Sequence, residues 1–265
     1  MSEEWWAAMR PAAPAAPAAP NVPDFQGMFN QACDQIGAAV KTVVDKFNAL
    51  VTHINDNRFL LGPVMLLLKG ILDRMRGVID KVVELAKYVG NHQAPILALI
   101  LQSFNWVQHV QSPMSNLSGP AGQWRDDNQN AWYWTGPAAD AYKEAAKGQK
   151  DAIDEYTKKA EFISTWLFGI VKTNVDYACG LARMATKLAG NMVATAAEGA
   201  TVVELPFAAD RLAGVLSTIV EEGMNTLIEY AKNFVGALDN YRTAVSQQSE
   251  HTTFTDGQWP QAVRN

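Results

Sequence analysis

The residues of this 265-residue chain that could do chemistry are four histidines, two cysteines and a few adjacent carboxylates. A metal site draws its ligands from histidine, cysteine and carboxylate at short characteristic spacings, such as Cys-X-X-Cys or His-Glu-X-X-His. Neither spacing occurs, and His53, His92, His109 and His251 are dispersed, so they read as surface or helix-end residues. General acid–base work needs two carboxylates that face one substrate. Asp126-Asp127 and Glu221-Glu222 are sequence neighbours, which a helix points in different directions, so they read as solvated charges. A nucleophilic Cys179 needs a base, and no histidine stands near it in sequence. Cys33 and Cys179 both lie among apolar neighbours in helical pattern, which favours two buried free thiols over a disulfide. The chain has no glycine-rich phosphate loop and no Gly-X-Ser-X-Gly elbow. Asn116-Leu117-Ser118 is a formal glycosylation triplet, read as chance. The expectation is a protein without catalysis, metal or cofactor.

The formal charge of −5 provides no basic stripe and argues against nucleic acid as a partner. Glu3, Glu4, Trp5 and Trp6 stand ahead of an alanine-proline tract, where a cleavable signal peptide would have a basic start and an apolar core. The most apolar windows, Phe59 to Leu68 and Pro95 to Leu101, fall short of the roughly 20 residues that span a bilayer. If the protein leaves the cell, it does so by a route that does not read a cleavable signal peptide, and it is cytoplasmic before that step.

The elements that position these residues read as helices throughout. Residues 1–23 form a tail whose Pro11–Pro20 repeat favours an extended spacer. Trp5 and Trp6 read equally as a docking point or a sticky terminus. Asp24 is the expected N-cap of a helix whose seam is Phe25, Phe29, Ala32, Ile36, Ala39, Val43, Phe47, Leu50 and Ile54. Asn55-Asp56-Asn57 breaks it. Val64, Leu68, Ile71, Met75, Val78, Val82, Leu85 and Val89 form a second seam that ends at Gly90-Asn91. Two seams across a short polar break predict an antiparallel helical hairpin over 24–90. Pro95 to Gln111 is apolar on more than one side and predicts a buried helix. Ser112-Pro113 and Ser118-Gly119-Pro120 then interrupt the pattern.

Trp134-Thr135-Gly136 predicts a tight corner that feeds a long helix. Gly136 supplies the backbone angles, Pro137 suits the first helical position, and Asp140 complements the positive end of the helix. Behind the corner two registers run together: Ile153, Ala160, Leu167, Asn174, Leu181 and Leu188, and Tyr156, Ile163, Ile170, Tyr177 and Met184. Asp154 and Glu155 precede Lys158 and Lys159 by four, a solvated outer face. Gly169, Gly180 and Gly190 predict close approach of another helix. Pro206 separates a last helix with Leu216, Val220, Gly223, Leu227, Ala231, Phe234, Leu238, Tyr241 and Val245 on its seam. Residues 247–265 read as a loose tail, with Trp259 as an anchor. The fold expected is all-α, an elongated helical bundle of long antiparallel hairpins, with residues 91–246 holding the corner hairpin and the last helix.

The stretch Trp132 to Met184 resembles the Trp-Xaa-Gly substrate family of type VII (ESX) secretion. Trp134 and Gly136 match the family's turn residues; Ala138, Ala139 and Tyr142 match the small and aromatic residues that open its second helix. The resemblance implies export by an ESX-type apparatus and non-catalytic action through pairing with a helical partner or self-association. Trp132, beside the corner, joins the set as an interaction residue. This chain departs from the family in three ways: no tyrosine is followed four residues later by Asp or Glu, prolines interrupt the first arm, and the 24–90 hairpin is additional. The aromatic corner reads either as a recognition end or as a plug that closes the hairpin. The alternative function is a membrane-active or pore-forming helical protein, motivated by the two apolar windows and the Gly/Ala-rich stretch from Gly169 to Val203.

Overall fold

The computed structural model describes residues 24–123, 133–198, 204–248, 253–254 and 258–261, and among them there is no strand. The long helices are α1 (Phe25–Asp56), α2 (Met65–Asn91), α3 (Gln93–Trp106), α4 (Ser112–Gln123), α5 (Pro137–Glu198) and α6 (Leu205–Gln248). The fold is all-α, helix packed on helix, as the periodicity requires. The chain divides into two compact units, and the division cuts through helices. The first unit takes the chain up to Leu97 together with Lys172–Phe234, and the second takes Ala98–Val171 and Val235 onward.

In the first unit, Asp24 caps α1: its carboxylate accepts from the Gly27 N–H at 2.7 Å. Such a cap contributes about 1 kcal/mol. The α1 seam is inside at Phe29, Ala32, Ile36, Ala39, Val43 and Ile54. At Asn57 the helix ends; one helical turn (Arg58–Leu61) and a 3-10 turn (Gly62–Val64) reverse the chain. Gly62 makes the reversal with φ +39°, a conformation that suits a residue without Cβ. α1 and α2 pack on each other. The Gln93 side-chain amide donates to Asn30 Oδ1 at 3.3 Å, which sets the far end of α2 beside the start of α1. The hairpin is therefore antiparallel.

On α2 the buried set is wider than one seam: Leu68, Ile71, Met75, Ile79, Val82, Val83, Ala86 and Val89 cover two adjacent stripes. A helix flanked on two sides needs such a face. α5 and α6 run antiparallel here. Gly180 faces Leu227 and Tyr230, while Met184 faces Gly223. Close packing thus holds at Gly180, where a methyl group would stand 2.9 Å from Tyr230 Cε2, but beside Gly169 and Gly190 there is open space. Pro206 is the second residue of α6, where a missing N–H costs nothing.

In the second unit, α3 and α4 form one arm and α5 the other. Ser164 Oγ donates to the Ser103 carbonyl at 3.2 Å. Ser118 Oγ donates to Asp154. Gly122 lies against the Lys150 side chain. As the first arm advances from 103 to 122, its partners on α5 recede from 164 to 150, so the arms are antiparallel. The expected interruption at Ser112-Pro113 and Ser118-Gly119-Pro120 does not occur: the arm is helical through Gln123. A π-helical segment, Val107–Gln111, precedes Pro113, and the Ser112 N–H reaches the Val107 carbonyl five residues back. The wider turn takes up the mismatch that a proline creates in the α ladder.

Pro95 to Gln111 is likewise less buried than expected. Ile96, Leu97, Ile100 and Ser103 are inside, but Val107 is exposed. The apolar residues wrap the helix more widely than its neighbours cover it.

The C-terminal stretch also departs from expectation. Helix α6 runs through Gln248. Beyond it, Phe254 lies under the Lys159 ammonium, 5.5 Å from the ring centroid, and stacks on Trp259 at 5.8 Å. The Gln149 amide donates to the Pro260 carbonyl at 3.3 Å. Aromatic residues and one amide fix this segment to α5, a specific set of contacts in a stretch whose polar composition suggests a loose tail.

Candidate functional site

The Trp-Thr-Gly corner leads directly into α5, the second arm of the second unit's hairpin. Gly136 has φ +104°, and the space around it is open, so glycine is needed there for its backbone angles and not to admit a neighbour. Pro137 is the first residue of α5. The Asp140 N–H donates to the Gly136 carbonyl at 3.1 Å, the first rung of the helix. Asp140 sits in the first turn, and Lys143 pairs with it at 3.1 Å.

Trp134 stacks on Tyr142, with ring centroids 5.4 Å apart and planes at 48°. The indole thus lies along the opening turns of the helix that Gly136 starts, an offset geometry that aromatic pairs favour. Of the two alanines, Ala139 is fully buried and Ala138 faces out. The structure therefore brings Trp134, Gly136, Ala139 and Tyr142 into one corner and leaves Ala138 on its outer surface. Trp132 lies outside the described residues, as do Trp124, Asp126-Asp127 and His251. Even after the stack forms, Trp134 keeps 42% of its surface and Tyr133 keeps 88%.

Below the corner the arms are tied by polar contacts. Asp154 accepts from Lys150 at 2.6 Å as well as from Ser118. The hydrogen bonds from Lys150 and Ser118 hold its carboxyl below the usual range. The Lys150 ammonium is raised by its hydrogen bond to Asp154 and by that carboxylate's charge. The spacing suggested Lys158 as the partner of Asp154; the carboxylate turns back one helical turn instead, where Ser118 adds a second donor. Glu155 and Lys159 do pair, at 2.8 Å. Burial pushes the Glu155 carboxyl upward, but hydrogen bonds from Lys159 and Thr253 and the nearby lysine charges outweigh it.

The other residues with chemical potential lie apart from the corner. Burial raises the Cys33 thiol to about 12, and the carboxylate of Asp34 and the thiol of Cys179 push in the same direction. Cys179 is also raised by burial, against the pull of Arg183. Such thiols are poor nucleophiles. Both are free. His92 closes α2, its Nδ1 2.8 Å from the Tyr88 carbonyl. Glu221 and Glu222 are exposed. An open cleft of about 570 Å³ in the first unit lies where Gly180 and Gly223 thin α5 and α6; Arg183, Lys187 and Glu222 line it. Among the described residues, no three histidine, cysteine or carboxylate side chains cluster as a metal site would require. No helix of the described residues is long and apolar enough to cross a membrane.

Sequence reasoning named Trp259 as an anchor of the tail but missed Phe254, the ring on which it packs and which meets Lys159 of α5. The signal available was two aromatics five residues apart in a polar stretch. Comparison with family models, with curated proteins and with solved structures finds no match for the chain.

Proposed function

We propose that this chain is a non-enzymatic helical protein exported by, or associated with, a type VII (ESX) secretion system. It acts by pairing with a helical partner or with itself through the corner end of the second unit. The observation that supports this reading is the corner itself: a glycine in a left-handed conformation starts α5 and leaves Trp134 and Tyr133 presented to solvent beside it. Rigid aromatic side chains with few rotatable bonds make strong anchors for a partner. The antiparallel arms beneath give the corner a fixed support, which a recognition surface needs.

The test compares culture fluids from the wild-type strain and an ESX-deficient strain. The reading predicts the chain in the first fluid and not in the second, with equal amounts inside both cells. A Trp134→Ala variant should stay inside while its cellular level is kept. Equal absence of the wild-type chain from both fluids contradicts the reading.

A further inference from the structure

The other end worth attention is the reversal between α1 and α2, in the first unit. Phe59 is 85% exposed, Leu60 75%, Leu66 83% and Leu67 62%. Four large apolar side chains in nine residues is dense for a water-facing turn. Leu60 and Leu67 each stand next to a residue that is inside: Leu61 and Leu68 are buried, at 4% and 0%. The fold thus buries one stripe of the turn and presents the other outward.

Phe207 belongs to the same end. Arg74 of α2 meets Asp210 of α6 at 3.9 Å. Farther along, Tyr177 of α5 interacts with Tyr88 of α2, and the next turn, at Gly180, faces Tyr230 of α6. Position 74 therefore lies level with 210, and 88 with about 230, so α2 and α6 run parallel. Phe207, three residues before Asp210, lies on the reversal side of it along α6, and it is 75% exposed.

Within the reversal the charged side chains are basic, while Asp56 precedes it and Glu204 and Asp210 flank Phe207 at the start of α6. Arg58 and Lys69 are the charged residues between Asp56 and Asp73, in a chain whose formal charge is −5. The Arg58 guanidinium lies over the Phe59 ring, 4.9 Å from its centroid. Basic residues flanking a convex apolar tip fit a surface that is negative outside and oily just beneath. A protein partner would have to supply a matching hollow; a fluid bilayer does not.

We propose that the tip of the α1–α2 hairpin is a docking surface for an anionic lipid membrane, a role beyond the association through the corner. Phe59, Leu60, Leu66 and Leu67 enter the headgroup and upper acyl region while Arg58 and Lys69 meet the lipid phosphates. Insertion is shallow, since no helix of the described residues is long and apolar enough to cross.

Co-flotation of the full chain with vesicles tests this. One set is phosphatidylcholine alone and the other includes phosphatidylglycerol. The chain should float with the second set, and salt should weaken it. Leu66→Asp with Leu67→Asp should cut the bound fraction by about tenfold or more, as two leucines lose their apolar burial. Arg58→Gln with Lys69→Gln should abolish the preference for phosphatidylglycerol. Val235→Asp, at another exposed apolar position, should change nothing. Because the tip side chains are exposed, all variants should keep wild-type circular dichroism and melting. The proposal falls if the wild-type chain floats with neither set, or if Val235→Asp loses as much binding as the tip pair. It also falls if the tip variants float normally but lower the mass of the chain in solution, which would make the tip a protein interface. None of these results depends on whether the chain is exported.

Discussion

The first unit fills its interior with Phe29, Ile36, Ile54, Leu68, Ile71, Met75, Leu181, Leu188, Met192 and Leu216. In the second, the completely buried side chains are small, Ala139, Ala152 and Val171, and polar ties from Ser103, Ser118, Asp154 and Gln149 join the parts. The same two helices, α5 and α6, serve both units. The stretch of α5 in the first unit packs large apolar side chains and approaches α6 closely at Gly180, and the stretch in the second adds hydrogen bonds to the opposite arm. Burying a leucine contributes about 1.5–3 kcal/mol, whereas a neutral hydrogen bond nets about 1 kcal/mol. The largest fully buried side chains thus lie in the first unit, while the second, which carries the corner, adds polar ties to a thinner core of Ile100, Ile153, Leu167 and Ile170.

The comparison breaks most readily at the cores. Leu188→Ala should cost about 2–5 kcal/mol in urea unfolding, whereas Ser164→Ala in the second unit should cost about 1 kcal/mol. Equal costs would remove the distinction between the units. The next effect sharpens it within the second unit. Gly136→Ala forces a side chain into the left-handed region and should cost about 1–3 kcal/mol. Gly148→Ala, in open space within α5, should stabilise by about 0.5–1 kcal/mol. The same substitution twelve residues apart should thus change sign.

A third test reads the first unit's interior through its thiols. Cys33 should be alkylated at least about tenfold more slowly than Cys179 in the native protein, because thiolate is the reactive form. The Cys33 thiol is raised from its ordinary 9.0 to about 12. A raised value means that its contribution to stability is complete below pH 9 and is lost as pH climbs through about 12. Cys33→Ala should therefore flatten the alkaline limb of the unfolding profile over that interval. The smallest effect belongs to the second unit. Asp154 is held low, so its contribution is present above the ordinary carboxylate value of about 4 and fades as pH falls through the lower folded value. Asp154→Asn should flatten the acid limb slightly.

Much of the fold was legible because apolar spacing is a strong local signal. The α1 and α2 seams, the Asp24 cap, the break at Asn57 and the start of α6 at Pro206 follow from residues within a few turns of one another. What was illegible depended on distant neighbours. Pro113 and Pro120 look like breakers, yet Ser118 finds Asp154 on the opposite arm, and the π turn lets the helix continue. The tail looked loose because the partners of Phe254 and Pro260, Lys159 and Gln149, stand about a hundred residues earlier. At the corner, Gly136 and Pro137 announced their backbone role directly. That Trp134 would rest on Tyr142, and that Ala138 would face out while Ala139 packs, required the helix phase in three dimensions.

The central claim is that the corner exists for association, and light scattering on the purified full chain tests it most directly. The account predicts a mass above 29.0 kDa, alone or with its helical partner, that returns to 29.0 kDa in a Tyr133→Ala, Trp134→Ala variant. A wild-type chain that stays at 29.0 kDa at every concentration and in the presence of candidate helical partners would contradict it.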